Sequence, residues 1–181
     1  MRLHLGIIAI AVGCAAHPSP DLEPGAAHDV VRAAVAPGED VELTRETLIH
    51  DQTFTATRAQ VWNALLAAEQ DLAMGIASAD SATGTVVYAV QTSTPRIAGR
   101  HAAVWLDCGR GPGGAPRVNT YDLSVRLTVF LESAGNGQTR VRTGLVGYAR
   151  DRGLTGNRLP CTSTGELERR ALAIVAARLL P

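Results

Sequence analysis

The chain has 181 residues, and its 17 basic residues, all arginine, balance 17 acidic ones to a formal net charge of zero. That is one domain of ordinary size, without the net basic footprint of a nucleic-acid binder. With 46% hydrophobic and 19% charged residues the composition is globular rather than disordered, and with only seven aromatic residues the core falls to Val, Leu, Ile and Ala.

Met1-Arg2 precedes an apolar run from Leu3 to Val12 and then Gly13-Cys14-Ala15. This order reads as a charged region, a short apolar region and a small-residue cleavage site, and the run is too short to span a bilayer. Arg2 and the sequence Ala11-Val12-Gly13-Cys14 resemble the lipobox of bacterial lipoproteins. The resemblance implies a signal peptide over 1–13, cleavage before Cys14, and acyl chains on that cysteine as a stable membrane anchor. It also implies that Cys108 and Cys161 remain as a pair, which in an oxidising compartment forms a disulfide. Such a bond would close a long loop and contribute ~3–4 kcal/mol. Ala15 after the cysteine, by resemblance to enterobacterial sorting, points to the outer membrane with the domain facing the periplasm. The alternative is an ordinary secretory signal cut after an A-x-A-like site within Val12-Gly13-Cys14-Ala15-Ala16.

Residues 14–40 carry Pro18, Pro20, Pro24 and Pro37 with Gly25 and Gly38, and read as a tether. Within it, His28–Val35 is long enough for two helical turns if docked. A single domain is expected over 41–181. Val41 to Phe54 holds stretches of alternation that read as one strand, and Thr57-Arg-Ala-Gln60 opens a capped helix of about sixteen residues, with Val61, Trp62, Leu65, Leu66, Glu69 and Leu72 on one stripe and its end at Gly75. Ile76–Ala79 and Thr85–Thr92 are strands around a turn at Asp80–Gly84, and Ala102–Cys108 is a further strand. Gly109–Pro116 is a surface loop.

The strongest pattern is Tyr121–Leu131, where every odd position is apolar and every even position except Phe130 is polar. Gly135-Asn136-Gly137 turns the chain into a partner strand to Arg150, and matching the two apolar faces sets Glu132 opposite Arg140. A second capping box, Ser163 to Glu166, opens a terminal helix bearing Leu167, Ala171, Ile174 and Val175. The expected class is α+β: an antiparallel sheet with two helices on one face, in the order β-α-β-β-β-β-β-α.

Several stretches carry a further resemblance: Phe54-Thr-Ala leading into Arg58-Ala-Gln-Val-Trp62, the helix end at Met74-Gly-Ile76, and Ser78-Ala-Asp80 with Gly84-Thr-Val86. They resemble the helix-grip fold of START-like (SRPBCC) proteins and the BamC (lipoprotein-34) family of outer-membrane lipoproteins. Trp105-Leu-Asp-Cys108, the Tyr121 strand and Cys161–Glu168 also resemble a family of uncharacterised bacterial lipoproteins. The BamC likeness implies a non-enzymatic binding or assembly module with an envelope protein partner; the START likeness implies a carrier of a small apolar ligand, with Trp62, Trp105, Ile174 and Val175 as its lining.

The residues themselves offer little chemistry. His101, Asp107 and Cys108 form at most a sparse nucleophile set, and the spacing of His50, His101, Cys108 and Cys161 fits no metal site. Gly109-Arg-Gly-Pro-Gly-Gly114 lacks the helix and Lys-Ser/Thr of a phosphate loop. No catalytic residue, cofactor or metal is expected. Arg126, Arg140, Arg142 and Arg150, with Arg152 beside them, lie on the polar side of the hairpin and are the candidates for a partner or anion patch, the alternative being a solvated sheet face.

Overall fold

A computed structural model describes residues 31–36, 39–43, 48–152 and 158–180; Cys14 and the signal segment expected over 1–13 lie outside them. The class is α+β, with every strand pair antiparallel. The strands are β1 (Val31–Ala36), β2 (Glu39–Leu43), β3 (Leu48–Phe54), β4 (Gly75–Asp80), β5 (Thr85–Thr92), β6 (Arg96–Ile97), β7 (Arg100–His101), β8 (Leu106–Asp107), β9 (Asp122–Gly135), β10 (Gln138–Arg150) and β11 (Arg158–Ser163). The helices are α1 (Arg58–Ala67), α2 (Glu69–Leu72) and α3 (Glu166–Leu179). The main sheet runs β4-β5-β9-β10-β11-β8, and β10 divides its far edge, pairing β3 through Thr139–Gly144 and β11 through Gly147–Arg150.

The β9–β10 hairpin organises the core because its alternation is strict. Leu123, Val125, Leu127, Val129 and Leu131 face inward with Val141, Leu145 and Ala149 and are buried. Asn136 and Gly137 both adopt positive φ, 50° and 73°, the geometry a two-residue hairpin turn demands. The loop is therefore one residue shorter than expected, and the extra residue appears as a bulge, Gln138 opposite Gly135 but Thr139 opposite Ser133. Beyond it Arg140 stands opposite Glu132, the register that matched apolar faces require.

Helix α1 opens with the expected capping box, Gln60 N–H donating to the Thr57 hydroxyl and Thr57 N–H to Gln60 Oε1. Its Val61 and Leu65 join Leu72 of α2 and Leu167, Ala171, Leu172 and Val175 of α3 in one apolar cluster against the inward face of β9 and β10. Arg58 ties the α1 start to the β4–β5 turn by donating to the Ser81 and Ala82 carbonyls, at 2.7 and 3.1 Å.

Six local expectations are corrected. Val31–Ala36 is strand, paired with Glu39–Leu43, where two helical turns were expected over His28–Val35; its Val and Arg residues tolerate extension, and Pro37-Gly38 is a turn signal. The strand expected from Val41 to Phe54 is split between β2 and β3. The first helix closes at Ala73, in the left-handed region, and Gly75 begins β4. Ala102–Cys108 is a short helical turn followed by the two-residue β8, because His101 Nδ1 accepts from Ala103 N–H and caps the turn. Strand β11 is not predicted by local pattern, because Pro160 and Gly-rich flanks mask its alternation. Finally, α3 begins after Gly165 with no side-chain cap: Ser163 donates its hydroxyl to Glu168 Oε1 instead, at 2.7 Å.

Candidate interaction face

Both long helices cover one side of the sheet, so the other side carries the residues at the alternate positions. Arg126, Arg140, Arg142 and Arg150 all stand on that helix-free side, as the register with β9, β3 and β5 requires. The structure brings the four together on one face, and pairs three of them with carboxylates among the described residues. Arg140 bonds Asp51 and Arg142 bonds Glu132. Each pairing is diagonal, since the residues directly opposite are Thr53 for Arg140 on β3 and Phe130 for Arg142 on β9. Long side chains reach such diagonal neighbours readily. Asp122 receives both Arg150, at 3.4 Å, and Arg152, at 2.8 Å. Arg152 also donates to the Ser93 carbonyl, tying the β5 exit to the hairpin base. The Asp51 carboxylate beside Arg140 raises that guanidinium's proton affinity, while partial burial lowers that of Arg126; both stay charged at any physiological pH.

At this end of the sheet an open cleft of about 280 Å³ lies among Gln91, Ser124, Asp122, Tyr148, Arg150 and Arg158. Two guanidiniums sharing the Asp122 carboxylate, with Arg158 on the rim, bias it toward anions, and the planar guanidinium suits carboxylate or phosphate. Asp122, Tyr148 and Arg158 escaped sequence reasoning. The signal was available for Asp122 and Tyr148, which fall on outward positions of an alternation already recognised, but not for Arg158, whose strand had gone unseen.

A second cavity, about 530 Å³, lies beside the Cys108–Cys161 disulfide, against Leu106, Gly109, Arg110, Val118 and Thr164. The bond joins the β8 end to β11 across 53 residues with Cα atoms 4.1 Å apart. It leaves no thiol at Cys108. Asp107 accepts from Gly109 N–H and His101 from Ala103 N–H, so each of the other two residues of that set serves its own local turn. Among the described residues no group of three or more His, Cys, Asp or Glu is arranged to hold a metal ion.

The four residues expected to line a carrier's groove are divided between the core and its margin. Trp105 is 1% exposed and donates its indole N–H to the Ile97 carbonyl at 2.8 Å, with Arg100 and Arg170 over its ring at 5.6 and 5.8 Å. Val175 is fully buried, whereas Trp62 and Ile174 are half-buried at the margin of the same cluster.

One buried polar group lies under the start of α3. Glu168 is fully buried, and loss of solvent holds its carboxyl above the ordinary glutamate range, opposed by the Ser163 hydrogen bond. Among the described residues, Glu168 Oε2 and His50 Nε2 have no hydrogen-bond partner. The Ser163 hydroxyl points to the carboxyl rather than to an imidazole, so the trio lacks the nucleophile-to-base contact of a hydrolase.

No family model and no curated protein matches the chain. Among solved structures it is similar to a DUF4468 family protein from Bacteroides ovatus, with 10% identity over 71% of this chain and 78% of that one and a TM-score of 0.30. A likeness of that size leaves fold and function to be argued from this chain's own residues.

Proposed function

We propose that the protein is a non-enzymatic, lipid-anchored binding or assembly module of the cell envelope, BamC-like in design, held by Cys14 to the periplasmic side of the outer membrane. The observation that carries the reading is the cysteine pairing. Cys108 and Cys161 are joined, which is the state of cysteines in an oxidising compartment, and Cys14, directly after a signal-like run and Gly13, is the one left over. The helix-free sheet side, with its arginines and its open cleft, supports a role in binding an anionic surface of an envelope protein. Tethering adds to this by raising the local concentration of the domain, so a modest interface suffices. The carrier reading would need room at Trp105 and Val175, and both are packed in the core.

Labelling with a palmitate analogue in the source bacterium tests the anchor. The wild-type chain is expected to carry the label and sediment with membranes, and Cys14→Ala to lose the label and become soluble. An unlabelled wild type, or a Cys14→Ala chain that stays on the membrane, overturns the reading. A photo-crosslinker at Tyr148 tests the binding role: adducts should form there and not from Asn63, exposed on the outer side of α1, and equal adducts from both positions argue against a specific face.

A further inference from the structure

The helix-free side of the sheet is more deeply buried than its position accounts for. Val87, Thr128 and Phe130 sit on that side, Val87 opposite Thr128 and Phe130 opposite Thr85 in the β5–β9 register. They are only 4%, 1% and 6% exposed. Yet Val87 and Phe130 are absent from the apolar cluster that α1, α2 and α3 build, and Gly144, beside Thr128, brings no side chain to shelter it. The stems of Arg126 and Arg142 flank these residues on the same face, and burial this deep in the middle of a sheet points to a further element lying over them.

We propose that this element is the β1–β2 hairpin of the same chain, docked on the Val87–Phe130 patch. A two-stranded hairpin standing alone is marginal in water, and β1 and β2 form a sheet of their own, hydrogen-bonded to no other strand; it needs a surface. Its register sets Val31 across from Leu43 and Ala33 across from Val41, so the positions sharing one face of the hairpin are apolar. Only 44–47 separate it from β3, which runs beside β10 on the same sheet. A link of four residues reaches at most ~3.3–3.6 Å per residue, which is enough for two or three strand spacings.

Charge agrees with the docking. The formal neutrality of the chain conceals two opposed halves: residues 15–47 hold seven acidic residues and two arginines, while residues 48–181 hold fourteen arginines and ten acidic residues. The attraction operates over roughly a Debye length, ~8 Å at physiological ionic strength, close to the ~10 Å at which packed sheets lie face to face. With the binding role proposed above, on which this last step alone rests, an anionic partner must displace the hairpin, so the chain guards its own face. The docking itself stands whether or not Cys14 is acylated.

Hydrogen exchange read by mass spectrometry on the full chain in detergent micelles tests it. The amides of 31–43 are expected to exchange about 100-fold more slowly than an unstructured peptide, and Phe130→Glu should abolish that protection while peptides from Tyr121 to Arg150 keep theirs. Unprotected 31–43 in the wild type, or protection that survives Phe130→Glu, overturns the proposal. If Phe130→Glu opens the sheet itself, Val41→Asp decides from the hairpin's side: loss confined to 31–43 supports the docking, and no loss contradicts it. Protection that vanishes on dilution, together with a dimer in light scattering, assigns the face to a second copy and overturns docking within one chain.

Discussion

Glu168 shows at the scale of one residue how burial sets a proton's affinity. The folded state holds the carboxyl's proton past the ordinary value of 4.5 because ionising it in the core is costly. The unfolded chain releases that proton near 4.5, so between that pH and the raised folded value unfolding releases a proton. Stability contributed by the protonated group is therefore complete below 4.5 and declines as pH rises through the folded value. Glu168→Gln keeps an acceptor for Ser163 and removes the titration. Denaturant midpoints measured from pH 4 to 8 should show the wild type losing ground to the variant across that window; parallel profiles would contradict the assignment. Gly165 lies against His50, with φ of +81° and His50 Nε2 2.6 Å from where a Cβ would sit. Gly165→Ala should cost about 1–3 kcal/mol, from the left-handed backbone as much as from the contact, checked by urea melts.

At the scale of elements, the two diagonal ion pairs of the hairpin separate exposed charge from buried charge. Arg140 and Asp51 are both well exposed, whereas the Arg142 side chain is 8% exposed. Arg140→Ala is expected to leave the melting curve where it was. Arg142→Ala should destabilise by about 1–3 kcal/mol, through lost packing and a lost charge-assisted bond; equal midpoints for the two variants would contradict this. The disulfide acts on a longer scale, and by loop closure alone its removal in Cys108→Ala/Cys161→Ala costs about 4 kcal/mol, read as a lowered denaturant midpoint that reductant lowers no further. Elements were legible in the sequence where local pattern decides them. The β9–β10 register, the Thr57 capping box and the β4–β5 turn each rest on a few adjacent residues. What escaped was decided by long-range partners: β11 exists because β10 has an edge free beyond Gly147, and Ser163 abandons its capping role because Glu168 is buried within reach. The candidate site divided the same way, its four patch arginines readable from alternation and Arg158 supplied by an unseen strand.

For the whole molecule, the sheet has two sides with different work. One is sealed by α1, α2 and α3 and makes the stability; the other gathers the arginines, the Asp122 cleft and the Val87–Phe130 patch. Among the described residues no helix is long and apolar enough to cross a membrane; the attachment proposed above is through acylated Cys14. The proposed lipoprotein joins two features, a folded domain stapled by Cys108–Cys161 and an acylated Cys14 behind a cleaved signal segment. The intact mass of membrane-extracted protein, taken before and after reduction, tests it most directly. The expected mass begins at Cys14, carries acyl chains, and rises by two hydrogens on reduction. An unacylated mass that reduction leaves unchanged would contradict both the anchor and the staple.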